Sequence, residues 1–316
     1  MGSRRKKFLN CKMICAECKT QFDNESSLIK HLRAHKMPIA YYYQKHFPKY
    51  DLFDGELIKY KSKEYYFSSF FNSRENLSKW LKGASREEAK RYIIDFLSYR
   101  KKSKGLTYSL SQAELKTLMI PGMKCINDLF GSYYELCSSL GFQNRFSQYQ
   151  LNRSQFVDIS KKVIFKDTRE QSPLEFSHST RTKCMNVGDY RMAGCDIRVE
   201  RKSVNDFWGT LTTGYPRFRR EMDRAVTQNL YLIILVEGTI TDVHGFPSLP
   251  QLKGRIRISS EIPLHNMREI LRDYKDVQFL FVPDREQAGK MVETIFSVNQ
   301  QCKSTDLQYL FDLKEI

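Results

Sequence analysis

The chain lacks the features that would place it in a membrane or outside a cell. No stretch approaches 18 consecutive apolar residues, so no membrane-spanning helix is expected. The amino terminus, MGSRRKKFLN, is basic but has no apolar signal-peptide core, and Lys6 stands where a myristoylation signal needs Ser or Thr. Acidic residues are in deficit: 36 Asp and Glu stand against 52 Lys and Arg, a formal net charge of +16. With 18 Tyr and 21 Phe spread among the charges, this balance points to a polyanionic partner. Nucleic acid comes before an anionic membrane surface, because no basic amphipathic tail stands apart. Cysteine is scattered as well. Of the eight, only Cys15 and Cys18 form a close pair, which excludes a disulfide framework and fits a reducing compartment with one metal site. The expected location is intracellular: the cytoplasm or nucleoid of a bacterial or phage-infected host, or a nucleus if the source is eukaryotic.

What is present begins with CAECKTQFDNESSLIKHLRAH. Cys15, Cys18, His31 and His35 stand in the spacing C-x2-C-x12-H-x3-H, with Phe22 and Leu28 as apolar anchors between them. Zinc takes four such ligands in a tetrahedron, two thiolates from a hairpin knuckle and two imidazoles one helical turn apart. A module this small cannot fold on apolar burial alone, so structural Zn2+ is expected at the centre of a ββα finger over residues 11–37. By resemblance to DNA-reading fingers, its base-facing positions are Asn24, Ser26, Ser27 and Lys30. One finger reads only about three base pairs. It is therefore either an auxiliary DNA clamp or a protein-contact module.

Residues 38–150 read as a helical, DNA-binding segment rich in aromatics, including YYYQKHFPKYD and KEYYFSSFFN. Pro38 marks its start, and Pro48 and Gly55 punctuate the aromatic-rich stretch. Helical signals begin at Ser73. Capping boxes are expected at Ser85–Glu88 and Ser111–Glu114, and a further helix through YYELCSSLGF ends at Gly141. RKKSK at 100–104 is expected to be a solvated loop able to reach phosphates. The stretch from Phe130-Gly131-Ser132-Tyr133-Tyr134 through Leu140-Gly141-Phe142 resembles the closing phrase of the helical repeat found beside homing endonuclease domains. That resemblance covers residues 108–142 and implies a small helix-turn-helix-like element docking on DNA; the alternative is a plain helical linker.

From 155 the texture changes. FVDISKKVIFKD, NVGDYRM, CDIRVERK, NLYLIILVEG and VQFLFVP read as strands, and RFRREMDRAVTQ, LHNMREILRDY and REQAGKMVETIF as helices. Strands first, then helix-strand-helix-strand-helix, predicts a mixed central sheet with helices on its faces over 155–305, in a multidomain α+β protein. Acidic residues gather at the strand ends: Asp167, Asp189, Glu200, and Asp206 four beyond Lys202. On a strand Glu200 and Lys202 share a face, with Arg201 opposite. A carboxylate and an ammonium beside a second carboxylate suit metal-assisted phosphodiester cleavage. Asp189 and Glu200 would hold Mg2+, or Mn2+, and Lys202 would orient the attacking water or steady developing charge. Taken alone, E-x-K reads by default as a salt-bridged surface pair; the full ordered series of acidic motifs is what favours the site.

The ordered series D-x-R-E at 167–170, G-D-Y at 188–190 and E-R-K-x-x-x-D at 200–206 resembles the XPF-type structure-specific endonuclease family, a branch of the PD-(D/E)XK fold. The resemblance extends to Gly209–Gly214, to Arg217 and Glu221 of the next helix, and to LIILVEG. It implies a restriction-endonuclease-like domain with Asp167, Asp189 and Glu200 as acidic site residues and Lys202 as catalytic lysine. Arg201 and Asp206 are supporting residues, Arg217 contacts DNA, and Arg169 and Glu170 match the first motif. The family's tandem helix-hairpin-helix domain has no counterpart in the short stretch after residue 305, so the finger and helical repeat are expected to replace it. The resulting expectation is a Mg2+-dependent DNA endonuclease directed to a site, of homing, mobile-element or phage type. The alternatives are a flap- or junction-selective nuclease and a non-catalytic zinc-finger DNA-binding protein. One active site cuts one strand, so a double-strand cut implies a homodimer or two sequential nicks.

Overall fold

The structure, a computed structural model, describes residues 13–147, 150–252 and 258–316. They fall into two compact units that divide between Lys82 and Gly83. In the first, β1 (Met13–Ile14) pairs antiparallel with β2 (Gln21–Phe22), and α1 (Glu25–Leu32) comes next. The Asn24 side chain accepts the Ser27 N–H at 2.9 Å, which satisfies a donor that the first turn leaves unpaired. Only Leu28 and Leu32 of α1 are buried. This small module leans on α2 (Ile39–His46), which starts directly after Pro38. The Tyr42 hydroxyl accepts the Ala16 N–H at 2.8 Å, and Tyr43 donates to Glu25 at 3.2 Å. Then come α3 (Lys63–Ser68) and α4 (Arg74–Gly83). Rings that are dispersed in the sequence gather here. Tyr43 lies 5.4 Å from Tyr60 and from Phe67, and Tyr66 lies 5.6 Å from Phe67, centroid to centroid. Buried Asp51 ties the loops together by accepting the N–H groups of Phe53 and Asn72 and the Asn76 amide.

The second unit opens with α5 (Arg86–Lys104), started by the expected reciprocal box of Ser85 and Glu88. Here the structure corrects the reading of RKKSK as a loop, because the helix runs through it. The apolar face carried by Tyr92, Ile93, Phe96 and Leu97 continues one turn to Arg100, which is buried, and Lys101 donates to the Leu140 carbonyl at 2.7 Å. Gly105, at φ +60°, is the left-handed residue that ends the helix. Then come α6 (Gln112–Thr117), with its Ser111–Glu114 box formed, α7 (Met123–Phe130) and α8 (Tyr133–Ser139). These helices share one body with the carboxy-terminal half. The Gln112 N–H donates to Asp306 at 2.7 Å, and Arg145 donates to the carbonyls of Leu271, Tyr274 and Val277.

Within that half the strands are β3 (Ile164–Lys166), β4 (Thr180–Thr182), β5 (Tyr190–Met192) and β6 (Ile197–Ser203). Of FVDISKKVIFKD, only Ile164–Lys166 is strand. After β6 come α9 (Val204–Leu211), α10 (Tyr215–Thr227), β7 (Tyr231–Glu237), α11 (Ile240–Gly245), α12 (Glu261–Asp273), β8 (Val277–Val282), α13 (Arg285–Val298) and α14 (Leu307–Asp312). The sheet order is β4-β3-β5-β6-β7-β8, with β6, β7 and β8 parallel and β5 antiparallel to both neighbours. One face packs Leu232, Ile234, Val236 and Phe279 against α9, α10 and α12. The other packs Ile233, Leu235 and Val199 against α13. The protein is therefore mixed α+β, as the pattern of elements predicts. No helix among the described residues is long and apolar enough to cross a membrane.

Candidate active site

The parallel pairing of β6 with β7 decides which side chains meet. Arg198, Glu200 and Lys202 stand opposite Leu232, Ile234 and Val236, so they lie on the α9/α10 face. Ile197 and Val199 enter the other apolar layer. Glu200 is 6% exposed and in direct contact with the Lys202 ammonium, which also lies 5.6 Å from the Phe218 ring centroid. Asp189 is brought alongside by the turn before β5. Gly188, at φ +73°, makes that turn possible, and a Cβ there would come within 3.1 Å of Arg198 Cβ and 3.2 Å of the Val199 carbonyl. The Asp189 carboxylate accepts the Arg201 N–H at 2.8 Å, and its backbone N–H donates to Val199 at 2.8 Å.

The electrostatics arise from this burial. Desolvation pushes the Glu200 carboxyl well above its ordinary range, Lys202 opposes the shift, and Asp189 and Glu221 add to it. Burial likewise raises Asp189, to about 6, against the Arg201 N–H and Lys202. Burial by itself would lower Lys202, but Glu200, Asp189 and Glu221 outweigh it and raise the ammonium's value. Glu200, Lys202 and Glu221 border a cavity of about 730 Å³ whose lining also includes Asp206, Arg217 and Phe218.

The remaining expected residues lie close by in other relationships. Asp167 adjoins Asp189, its N–H donating to the Asp189 carbonyl at 2.8 Å. Its carboxylate is occupied by Arg169 N at 2.7 Å, Arg169 Nε at 3.0 Å, Arg169 Nη2 at 2.9 Å and Met185 N at 2.9 Å. Burial alone would raise it, but these bonds hold it below the usual range. Arg201 points to the opposite face and grips Glu237 with two bonds, at 2.6 and 2.7 Å, and Glu170 at 3.3 Å. Asp206 accepts from Ser203 Oγ at 2.7 Å at the start of α9, while its own N–H donates back. Arg217 is exposed at the cavity. Glu221 is marked in the sequence only as a helix position that the resemblance takes in, with no role attached to it. Its approach to the carboxylates comes from the way α10 buries Phe218, Met222 and Ala225, which leaves Arg217 and Glu221, four apart, beside that stripe.

A second cluster lies in the first unit. The ligand atoms of Cys15, Cys18, His31 and His35 are all within 4.8 Å of one another. The two histidine Nε2 atoms are 2.9 Å apart, and Cys18 Sγ is 3.1 Å from His31 Nε2. Two thiols and two imidazoles converging this closely could hold one zinc ion. At the start of α1, the Ser27 hydroxyl donates to the side-chain oxygen of the capping Asn24 at 3.1 Å, while Ser26 and Lys30 are exposed.

No family model matches the chain, and no curated protein matches it. Solved structures do. XPF from Aeropyrum pernix is 21% identical, with 44% of this chain and 68% of that chain covered, at a TM-score of 0.32. XPF from Aeropyrum pernix in complex with DNA is 24% identical, with 43% and 63% covered, also at 0.32.

Proposed function

We propose that the chain is a divalent-metal-dependent DNA endonuclease, directed to its site by the amino-terminal unit. The observation that carries this reading is the buried Glu200–Lys202 pair beside Asp189 and Glu221 at an open cavity, in a protein of net charge +16. Desolvated carboxylates crowded beside an ammonium at a solvent-open cavity are costly to fold, and such arrangements gather at functional sites. The donor set is all oxygen, which suits Mg2+ or Mn2+. Asp189 and Glu200 would hold such an ion, which supplies Lewis-acid polarisation of the phosphate. Lys202 orients the attacking water or neutralises charge building on the phosphoryl oxygens. Arg201 positions Asp189 through its backbone N–H, and its side chain braces the strand end through Glu237 and Glu170. Asp206 holds the start of α9 at the cavity wall, and Arg217 offers a guanidinium to a neighbouring phosphate. Asp167 fixes Arg169 and the approach of β3 to the Asp189 turn. In the first unit, zinc would hold the finger on α2. Exposed Lys30 and Ser26 contact DNA, with Asn24 and Ser27 shaping the helix start.

Glu200→Gln and Lys202→Ala in the full chain should each lower Mg2+-dependent cleavage of a mixed pool of linear and branched DNA by on the order of 10³-fold. DNA affinity measured without Mg2+ should stay within a few-fold of the parent. Cleavage undiminished in both variants would discard the site.

A further inference from the structure

The face that carries Glu200 and Lys202 continues past the helices into a row of cations. Arg198 of β6 pairs with Arg191 of β5, Arg191 with Phe165 of β3, and Phe165 with Arg181 of β4. Cross-strand partners project to the same face, so the four form one line across the sheet. It spans three inter-strand steps of about 4.8 Å, roughly 14 Å in all. Along the strands the row lies two residues from the acids. Phe165 precedes Asp167, Arg191 comes after Asp189 and Arg198 precedes Glu200, a displacement of about 6.6 Å.

Two arginines directly opposite each other destabilise a bare sheet. Arg191 sits over Phe165, 4.8 Å from its centroid, and Lys183 approaches the same ring at 5.9 Å. Arg191 Nε is buried without a hydrogen bond. Arg198 uses Nη1 on the carbonyls of Cys195 and Ile197. The nearby acid, Asp196, is engaged by Lys303 at 2.6 Å and Gln300 at 2.9 Å. Among the described residues no carboxylate pairs with Arg181, Arg191 or Arg198. Cations held in register with no ion pair of their own among the described residues make a receptor for anions in a line.

We propose that Arg181, Arg191 and Arg198, spaced by Phe165, are a track for successive phosphates of the DNA strand flanking the bond to be cut. The assignment rests on the nuclease reading of the acidic end of the same face. Phe165 keeps Arg191 in place through its ring, and Arg181 at the edge strand receives the strand as it leaves the protein.

The test uses the full chain and a fluorescein-labelled 16-base-pair duplex without divalent metal, with affinity read by anisotropy across a salt series. Arg181→Gln/Arg191→Gln should weaken binding and flatten the slope of log affinity on log salt by roughly 0.9 per lost phosphate contact. Arg191→Lys should keep most of the slope. The melting temperature of the double variant should equal or exceed the parent's, since a like-charge pair is relieved. A slope unchanged from the parent overturns the track, as does a fall in melting temperature with affinity retained. Should the double variant not fold, Arg181→Gln at the exposed edge position carries the same salt test. Because no cutting is involved, a flattened slope in a chain that never cleaves DNA keeps the track and discards the nuclease. Normal cleavage with an unchanged slope discards the track alone.

Discussion

Asp189 shows what the fold asks of a single residue. Its carboxyl ordinarily titrates near 3.8, and burial lifts it to about 6 while the Arg201 N–H and Lys202 hold it from going further. A carboxyl whose folded value exceeds its unfolded one contributes stability that is complete below about 4 and is lost as the pH rises through about 6. Above that range the metal-free protein carries an ionised, poorly hydrated carboxylate. Asp189→Asn stays neutral and keeps an oxygen for the Arg201 N–H. The variant's stability should therefore match or trail the parent's at pH 4 and overtake it toward pH 7.5, by on the order of 2 kcal/mol. Adding Mg2+ should close the gap by stabilising the parent alone, as the ionised carboxylate gains its cation. Thermal melts at four pH values with and without Mg2+ would show it, and a pH-independent difference would contradict the assignment.

Among the elements, the helices outside the sheet are the ones whose roles the fold redefines most. Ser85–Glu88 and Ser111–Glu114 are capping boxes by spacing and are formed as such, because a cap depends only on residues three apart. What α6 to α8 touch depends on distant chain. Arg145, after α8, sends its guanidinium to the Leu271 carbonyl at 2.6 Å, Tyr274 at 2.8 Å and Val277 at 3.1 Å, where α12 ends and β8 begins. The last carbonyls of a helix have no donor within the helix itself. Arg145→Met should preserve the aliphatic stem yet lose roughly 2–3 kcal/mol, since three carbonyls lose a charged donor. Urea unfolding would measure it, with cleavage per folded molecule unchanged because the residue braces α12 and β8 rather than the strand of Glu200. A loss below about 0.5 kcal/mol would mean that water replaces the guanidinium without cost.

At the scale of the molecule, residues 83–147 are part of the body that carries the acids, whereas residues up to Lys82 form their own unit. Asp306 is fully enclosed, accepts the N–H groups of Gln112 and Tyr309, and is pushed by burial to about 6. A fragment beginning at 155 would strip Gln112 from that carboxylate and uncover the apolar side of α14 and β8. A fragment covering 83–316 should therefore melt cooperatively and retain Mg2+-dependent cleavage with weaker DNA binding. A fragment covering 155–316 should be rapidly proteolysed and lack a sharp transition. Equal protease resistance of the two would show that the helices merely rest on the domain.

The sequence by itself determined whatever depends on near neighbours. The quartet of Cys15, Cys18, His31 and His35, the capping boxes, the types of the main strands and helices of the second half and the shared face of Glu200 and Lys202 all come from spacings of two to fourteen residues, set by backbone periodicity. Only the tertiary structure decided which distant groups meet. It saturated Asp167 with Arg169 and Met185, turned Arg201 toward Glu237, brought Glu221 up to the acids, and carried α5 through RKKSK with Arg100 buried and Lys101 bonded to Leu140. It also aligned three arginines from three strands, which no spacing reveals, because the register between strands is set by turns and by the apolar layers beneath them.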